Sequence, residues 1–418
     1  MTQSPATASG TDACGTFAAA TPTPTPAVTE EPTTQRTVHV STAEELLAAI
    51  APNTEIVLSA GVYNVGPEAK AFVGESPYCT FDTGDYSGWD PFLLISGVEN
   101  LYIRAEEGAD CVLAAAHKES CEAVLALKDC HGLTISGVTI SGSAENDLLL
   151  KYCYDVRVEG CTLLWDEDKA YPGMPMGIGL DHCDNVTVSD CRIENCASAI
   201  FAMTSKSVTV SGCEISGCMD AAWISSVENV VFTGCSIHDC RNEDSISDDG
   251  EQGDASCLIS FDGISDYVLS VTIKDCEFYN NKSTFFFSSN GIDFVQLSGL
   301  NIHDNSFERL FEFEAASEHA GRYEISNCDV DRNKIGTFLF CGYDDARVVL
   351  SGTSIVDNAI ETVFYGDVTV TGCAFSNPNI AHWIGVDESY SDIRTFIHDV
   401  EGNGLGEADL CAMTLKRD

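Results

Sequence analysis

The chain has 418 residues, 44% of them apolar, with 65 Asp+Glu against 21 Lys+Arg for a formal charge of −44. That balance argues against nucleic acid and anionic membrane surfaces, both of which need clustered cations, so no nucleic-acid partner and no membrane insertion is expected. The apolar content is enough for one large elongated core, which a repeat architecture can build without dividing into globular domains.

Residues 1–36 are rich in Thr, Ala, Ser and Pro, including the run Thr21-Pro22-Thr23-Pro24-Thr25-Pro26. Such a segment buries too little apolar surface to offset its chain entropy and reads as an extended linker. Linkers of this kind tether surface proteins, so an extracellular or cell-surface location is expected, although no apolar signal-peptide segment precedes it. In residues 37–63, Ser41 or Thr42 followed by Glu44 or Glu45 is a capping box. It starts a short amphipathic helix over Ala43 to Ile50, and the strand Glu55-Ile56-Val57-Leu58 follows. Together they are expected to form an N-terminal cap. The stretch from 64 to 92, with Tyr78, Tyr86 and Trp89, reads as a long surface loop, and regular coils are expected by Phe92 to Ile103.

From Asn185 to Asp239 the chain says nearly the same thing three times. Cys191, Cys213 and Cys235 are 22 residues apart, as are Cys196, Cys218 and Cys240. Each unit has an alternating β-branched run (Val186-Thr187-Val188, Val208-Thr209-Val210, Val230-Val231-Phe232), a second short run around Ile193, Ile215 or Ile237, and a third around Ile200 or Ile224. Three short strands per unit leave no room for a helix, and a fixed period of this size means stacked coils that share one core. Seven of the 20 cysteines (161, 191, 213, 235, 276, 328 and 373) fall at one place in successive coils. A small buried hydrophobe suits that position, so a column of reduced thiols is expected in preference to disulfides or zinc sites. No C-x-x-C occurs.

The segment Asn-Val-Thr-Val-Ser-Asp-Cys-Arg-Ile-Glu-Asn-Cys resembles one rung of the right-handed parallel β-helix proteins, the pectate-lyase-like superfamily. Similar rungs occur at Leu133-Thr134-Ile135, Val156-Arg157-Val158, Val271-Thr272-Ile273, Val295-Gln296-Leu297, Tyr323-Glu324-Ile325, Val348-Val349-Leu350 and Val368-Thr369-Val370. The resemblance implies an all-β fold, a right-handed parallel β-helix of about 22-residue coils over residues 64–376 with a short helical N-terminal cap and a C-terminal cap. The cap occupies 377–418, where the rhythm stops and Ser391 to Val400 reads as a short closing helix.

Unevenness in the repeat places a groove. Cys161 to Cys191 spans 30 residues and Cys235 to Cys276 spans 41, and both excesses follow the second strand of their coil, at Trp165 to Gly173 and Arg241 to Ser256. Three coils of stacking set these loops about 14 Å apart on one corner. Between them, Leu148, Ile178, Ile200 and Ala222 share one inward position, and Leu150, Leu180, Ala202 and Ile224 another. The period-2 rule turns two other rows outward: Leu149, Gly179, Phe201, Trp223, and Lys128, Lys151, Asp181, Met203, Ser225.

Trp223 above Phe201, with Trp165 at the edge of the first loop, is a candidate surface for sugar rings, because aromatic faces pack well against C–H groups. Lys128 beside Lys151, with Asp181 on the next rung, is a candidate acid/base cluster in which one lysine readies the other. His182 is a further acid/base candidate. A hydrolase needs two facing carboxylates, for which Asp181 and Asp220 are the candidates. The loop Glu243 to Asp254 is rich in carboxylates and glycine. Asp248, Asp249 and Asp254 are candidate Ca²⁺ ligands in it, without the spacing of an EF-hand. Beyond Cys276, Phe285, Phe286, Phe287, Phe307, Phe311, Phe313, Phe338 and Phe340 are expected to fill a wider core, and Asn280, Asn281, Asn305, Asn333 and Asn358 to line a turn ladder.

Two function classes fit. One is a carbohydrate-active enzyme, a polysaccharide lyase or a glycoside hydrolase. Its lyase form resembles β-helix lyases that use a Lys or Arg base with Ca²⁺, which assigns the base to Lys151 or Lys128. The other is a non-catalytic glycan-binding or adhesion rod, which needs no catalytic constellation. A monomer is expected in either case.

Overall fold

The computed structural model describes residues 36–74, 76–84, 88–115, 121–142, 144–165, 175–241, 257–263, 269–314, 321–342, 347–377, 379–384 and 396–400. Three short strands complete each turn of the chain, and corresponding strands of successive turns pair to form three sheets. Sheet A has 14 strands, sheet B 12 and sheet C 13. Pairing between successive coils is parallel, as between Asp184–Ser189, Ser207–Ser211 and Asn229–Thr233 in sheet A. The chain thus winds as a right-handed parallel β-helix, the hand that twisted strands impose on parallel crossovers.

The sheet B strands are short: Arg192–Glu194, Glu214–Ser216 and Ser236–His238 have three residues each. They are short because a left-handed residue bends the chain at each end. Asp190, Gly212 and Gly234 (φ 51°, 61°, 62°) precede them, and Asn195, Gly217 and Asp239 (φ 59°, 65°, 56°) follow. Asn, Asp and Gly are the residues that tolerate this region, which is why they recur with the coil period.

Two polar columns run through the core beside the apolar ones. In the first, the thiols of Cys191, Cys213, Cys276 and Cys328 each donate to the carbonyl two residues earlier at 3.2–3.4 Å. Thr353 fills the same place with a hydroxyl that donates to Ser351 O at 3.1 Å. In the second, Cys196, Cys218 and Cys240 give way to Asn281, Asn305, Asn333, Asn358 and Asn377. Each asparagine Oδ1 accepts from the backbone N–H of the coil before, at 2.9–3.0 Å. Eighteen of the 20 cysteines are described, all as free thiols and all but Cys257 buried. Burial pushes the thiols of Cys79 and Cys328 up to about 11, which keeps them protonated and unreactive. Denatured, unreduced protein is therefore expected to titrate with 20 thiols per chain and folded protein with few. A substantially lower denatured count would show that bridges had formed.

The chain termini of the fold depart from expectation. The capping box is present: Thr42 Oγ1 accepts from Glu45 N at 3.2 Å and Glu45 Oε2 from Ser41 N at 2.7 Å, opening the helix Ala43–Ala49. Sheets A and B already begin before Phe92, with Arg36–Val40 on Thr54–Leu58 and Gly61–Asn64 on Cys111–Ala115. The 64–92 stretch carries the 3₁₀ turn Pro67–Phe72 and the strand Cys79–Asp82, which pairs antiparallel with Phe92–Ser96 at the edge of sheet C. At the other end the rhythm continues beyond Asn377, as Asn379–Ile384 extends sheet C. The closing helix read over 391–400 is instead a strand where described: Phe396–Val400 pairs with Asp367–Thr371 in sheet A. An open parallel edge presents a row of unpaired N–H and C=O groups, and an aromatic and β-branched segment satisfies them best as one more strand.

Candidate functional site

The two long insertions connect a strand of sheet B to the next strand of sheet C. The inserted residues 166–174 and 242–256 lie outside the described residues, and with them the candidate Ca²⁺ ligands Asp248, Asp249 and Asp254. Among the described residues no group of three or more His, Cys, Asp or Glu is disposed to hold a metal.

Register in sheet C is as read from the alternation. Leu148, Ile178, Ile200 and Ala222 align and are buried, and so do Leu150, Leu180, Ala202 and Ile224. Leu149, Gly179, Phe201 and Trp223 form one outward row, which continues through Ser260, Ser288 and Glu312. Lys128, Lys151, Asp181, Met203 and Ser225 form the other, which continues to Asp262 and Asn290.

Alignment of the backbone does not bring the predicted side chains together. The Lys151 ammonium pairs with Glu122, which lies on the preceding coil near the start of the sheet C segment, and not with Asp181. The Asp181 carboxylate is bound by its neighbour: His182 Nδ1 lies 2.6 Å from Asp181 Oδ1, and the His182 ring stacks on Tyr152 at 4.9 Å. Among the described residues Lys128 has no ion pair, and Asp220 begins its strand two coils beyond Asp181. Asp181 sits at the far end of its own strand, so the two backbones are on the order of 15–20 Å apart. These two carboxylates do not face each other.

The face is also not open along its whole length. Leu149 is only 6% exposed and packs with Phe92, Ala123 and Ala126 on the outer side of the sheet. The 76–84 segment folds back here, and a Cβ on Gly84 would lie 2.6 Å from Glu122 Oε2. The accessible part begins beyond Gly179.

Trp223 is 43% exposed there, while Phe201 is half-buried. Their rings meet edge to face, at 5.6 Å and 86°, so they do not make the joint flat platform that their register suggests. A sugar ring can pack on the indole face alone. Asp262 stands on the next coil beside this indole. Burial raises the Asp262 carboxyl above the usual range, and Trp223 works in the opposite direction. Asp262 was not among the sequence candidates, because only the tertiary pairing across the 41-residue gap puts it beside Trp223. Trp165, on the sheet B side, is partly buried against the core, and its indole N–H has no partner among the described residues.

Further along, the same face opens into a polar groove of about 680 Å³ between Lys282 and Tyr365. Its lining includes Lys282, Arg309, Lys334, Glu308 and Glu361. Arg309 is fixed, with its guanidinium 4.3 Å from the Phe340 ring centre and paired to Glu312, a carboxylate only 4% exposed. None of these residues was legible as a site, because the aromatic coils around them read as core.

Comparison with known proteins gives the following. The family described as "Right handed beta helix region" matches residues 122–251 and 176–384. A polygalacturonase from Erwinia carotovora ssp. carotovora has a similar structure (TM-score 0.49, 13% identity, covering 88% of this chain and 98% of that one). So does an alginate lyase from Paenibacillus sp. (0.36, 12%, 84% and 98%) and PfbA, a surface adhesin of Streptococcus pneumoniae (0.38, 11%, 84% and 84%). No curated protein sequence matches.

Proposed function

The chain belongs to the right-handed β-helix family, and we propose that it is an extracellular, carbohydrate-active member that seats a polysaccharide on the outer face of sheet C. The observation that carries this reading is Trp223: a large exposed ring on the outer face of sheet C, held edge to face by Phe201, with Asp262 beside it on the next coil. An indole held in this way packs on sugar C–H groups without losing side-chain freedom. The Thr-Pro-rich residues 1–36 have the composition of a tether and agree with action outside the cell.

In the hydrolytic form of this reading, Asp262 donates its proton to the glycosidic oxygen, and the carboxylate left behind takes the proton of the water that adds to the sugar carbon. A half-buried carboxyl keeps its proton to higher pH than a free one, the state needed to protonate a glycosidic oxygen as its bond breaks. Elimination with Lys151 as base is less well supported, because that amine is engaged by Glu122. A binding rod without chemistry is the second reading, favoured by the separation of Asp181 from Asp220.

The test is a panel of neutral and uronate-containing polysaccharides, with and without calcium, followed by retention, reducing ends and unsaturated-uronate absorbance. Trp223→Ala is expected to weaken retention about tenfold, the equivalent of about 1.4 kcal/mol. Asp262→Asn is expected to lower kcat while KM changes little. Absorbance in place of reducing ends would replace hydrolysis by elimination, and retention without product would leave the rod. Neither retention nor product on any polymer would end the carbohydrate reading.

A further inference from the structure

The rows around Trp223 carry charge of one sign only, which bears on the class of polysaccharide that fits, and the inference rests on the reading that this face binds one. Beyond the covered part of sheet C, one outward row runs Gly179, Phe201, Trp223, Ser260, Ser288 and the other Asp181, Met203, Ser225, Asp262, Asn290. These positions hold two carboxylates, Asp181 and Asp262, and no lysine or arginine.

Cations on the neighbouring coils are engaged or stand away. Lys151 pairs with Glu122, Arg309 with Glu312, and the His182 ring with Asp181. Arg241 and Lys282 bridge at the sheet B end of the strand Lys282–Asn290, the opposite end from Asn290. Lys128 lies four coils before Trp223, on the order of 20 Å away. The formal charge of −44 adds a long-range field of the same sign.

What the rows offer is apolar surface and neutral hydrogen-bonding groups. Met203 and Trp223, 42% and 43% exposed, stand on successive coils with Phe201 beside both. From the Trp223 coil onward, Ser225, Ser260, Ser288 and Asn290 add hydroxyls and an amide. Such groups both donate and accept, as sugar hydroxyls do. A substrate carboxylate would instead lose water beside Asp181 or Asp262, with no cation to offset the cost. Burial already disfavours the Asp262 anion, and a second anion next to it would do so further.

We propose that this face binds an uncharged polysaccharide, its rings on Trp223 and Met203 and its hydroxyls on the serines and Asn290, and that it rejects a polymer with a carboxylate on every sugar. Rejection then follows charge and not the shape of the ring.

The comparison that isolates charge uses a uronate homopolymer and the same polymer with its carboxylates methyl-esterified, beside neutral glucans, mannans and xylans, each with and without calcium. The quantity compared is the affinity that Trp223→Ala removes, so that sugar held elsewhere on the chain does not count. The parent is expected to bind the ester or a neutral polymer about tenfold or more tightly than the acid form, with little dependence on salt. Ser260→Lys places a cation in the row between Trp223 and Ser288. It is expected to raise affinity for the acid form about tenfold and to make that affinity fall with salt. Unchanged circular dichroism and melting would confirm the fold of both variants. Equal or tighter binding of the acid form by the parent, with or without calcium, would overturn the proposal and leave the carbohydrate reading intact. An unchanged preference in Ser260→Lys would do the same. If Trp223→Ala removes affinity for none of these polymers, both fall.

Discussion

Asn305→Ala is expected to lower the stability of the fold by roughly 3–5 kcal/mol, although the residue touches no candidate ligand. Its side chain is 4% exposed and links the coils on both sides of it. The two Nδ2 hydrogens are shared among Phe278 O at 2.9 Å, His303 O at 2.8 Å and Asn333 Oδ1 at 2.9 Å, while Oδ1 accepts from Asn281 N at 2.9 Å and Asn281 Nδ2 at 3.1 Å. Truncation strands these partners away from water, at about 1–3 kcal/mol for each one that cannot find another. Denaturant unfolding of Asn305→Ala beside Asn301→Ala, whose amide donates to one exposed carboxylate, measures the difference. Asn305→Cys is expected to fall between parent and Ala. The Cys218 thiol, in the same column, already donates to Ile193 O and Ser216 O at 3.9 and 3.5 Å. Equal stability of Asn305→Ala and Asn301→Ala would show that the ladder is not a source of stability.

The second large effect is expected at Asp147, a carboxyl 3% exposed whose Oδ2 has no hydrogen-bond partner among the described residues. It occupies an inward position where the following coils carry Gly177, Ala199 and Ala221. Burial raises its pKa well above 3.8, so the folded protein holds the proton that the unfolded chain releases. The group's contribution is therefore complete below about pH 3.8 and is lost as pH rises toward the folded value. Across that window stability falls by about 1.4 kcal/mol per pH unit. Asp147→Asn keeps the neutral, hydrogen-bonding shape and removes the proton linkage. Its stability relative to the parent is expected to grow as pH rises above about 3.8, by denaturant unfolding. Parallel curves for the two proteins would show that the carboxyl titrates as if exposed.

Much of this molecule is written in its sequence, and the reason is the period. A 22-residue repeat of cysteines together with strict apolar alternation leaves one way to stack the coils. The inward columns, the outward rows and the corner of the long insertions could therefore all be read by counting. Counting fails where insertions or composition break the repeat. Phe396–Val400 becomes a strand because it meets an open sheet edge, which is a property of the assembled stack and not of the segment. Counting also places backbones but does not choose the partners of long side chains. Lys151 reaches Glu122, Asp181 turns to His182, and Trp223 meets Phe201 edge-on, because each settles on the neighbour that packing presents. The sequence by itself determined the coil, its register and the strands that the insertions connect. Only the tertiary structure decided where the outer face of sheet C is covered and that Asp262 stands beside Trp223. Those outcomes depend on contacts between residues far apart in the chain, and no local pattern encodes them.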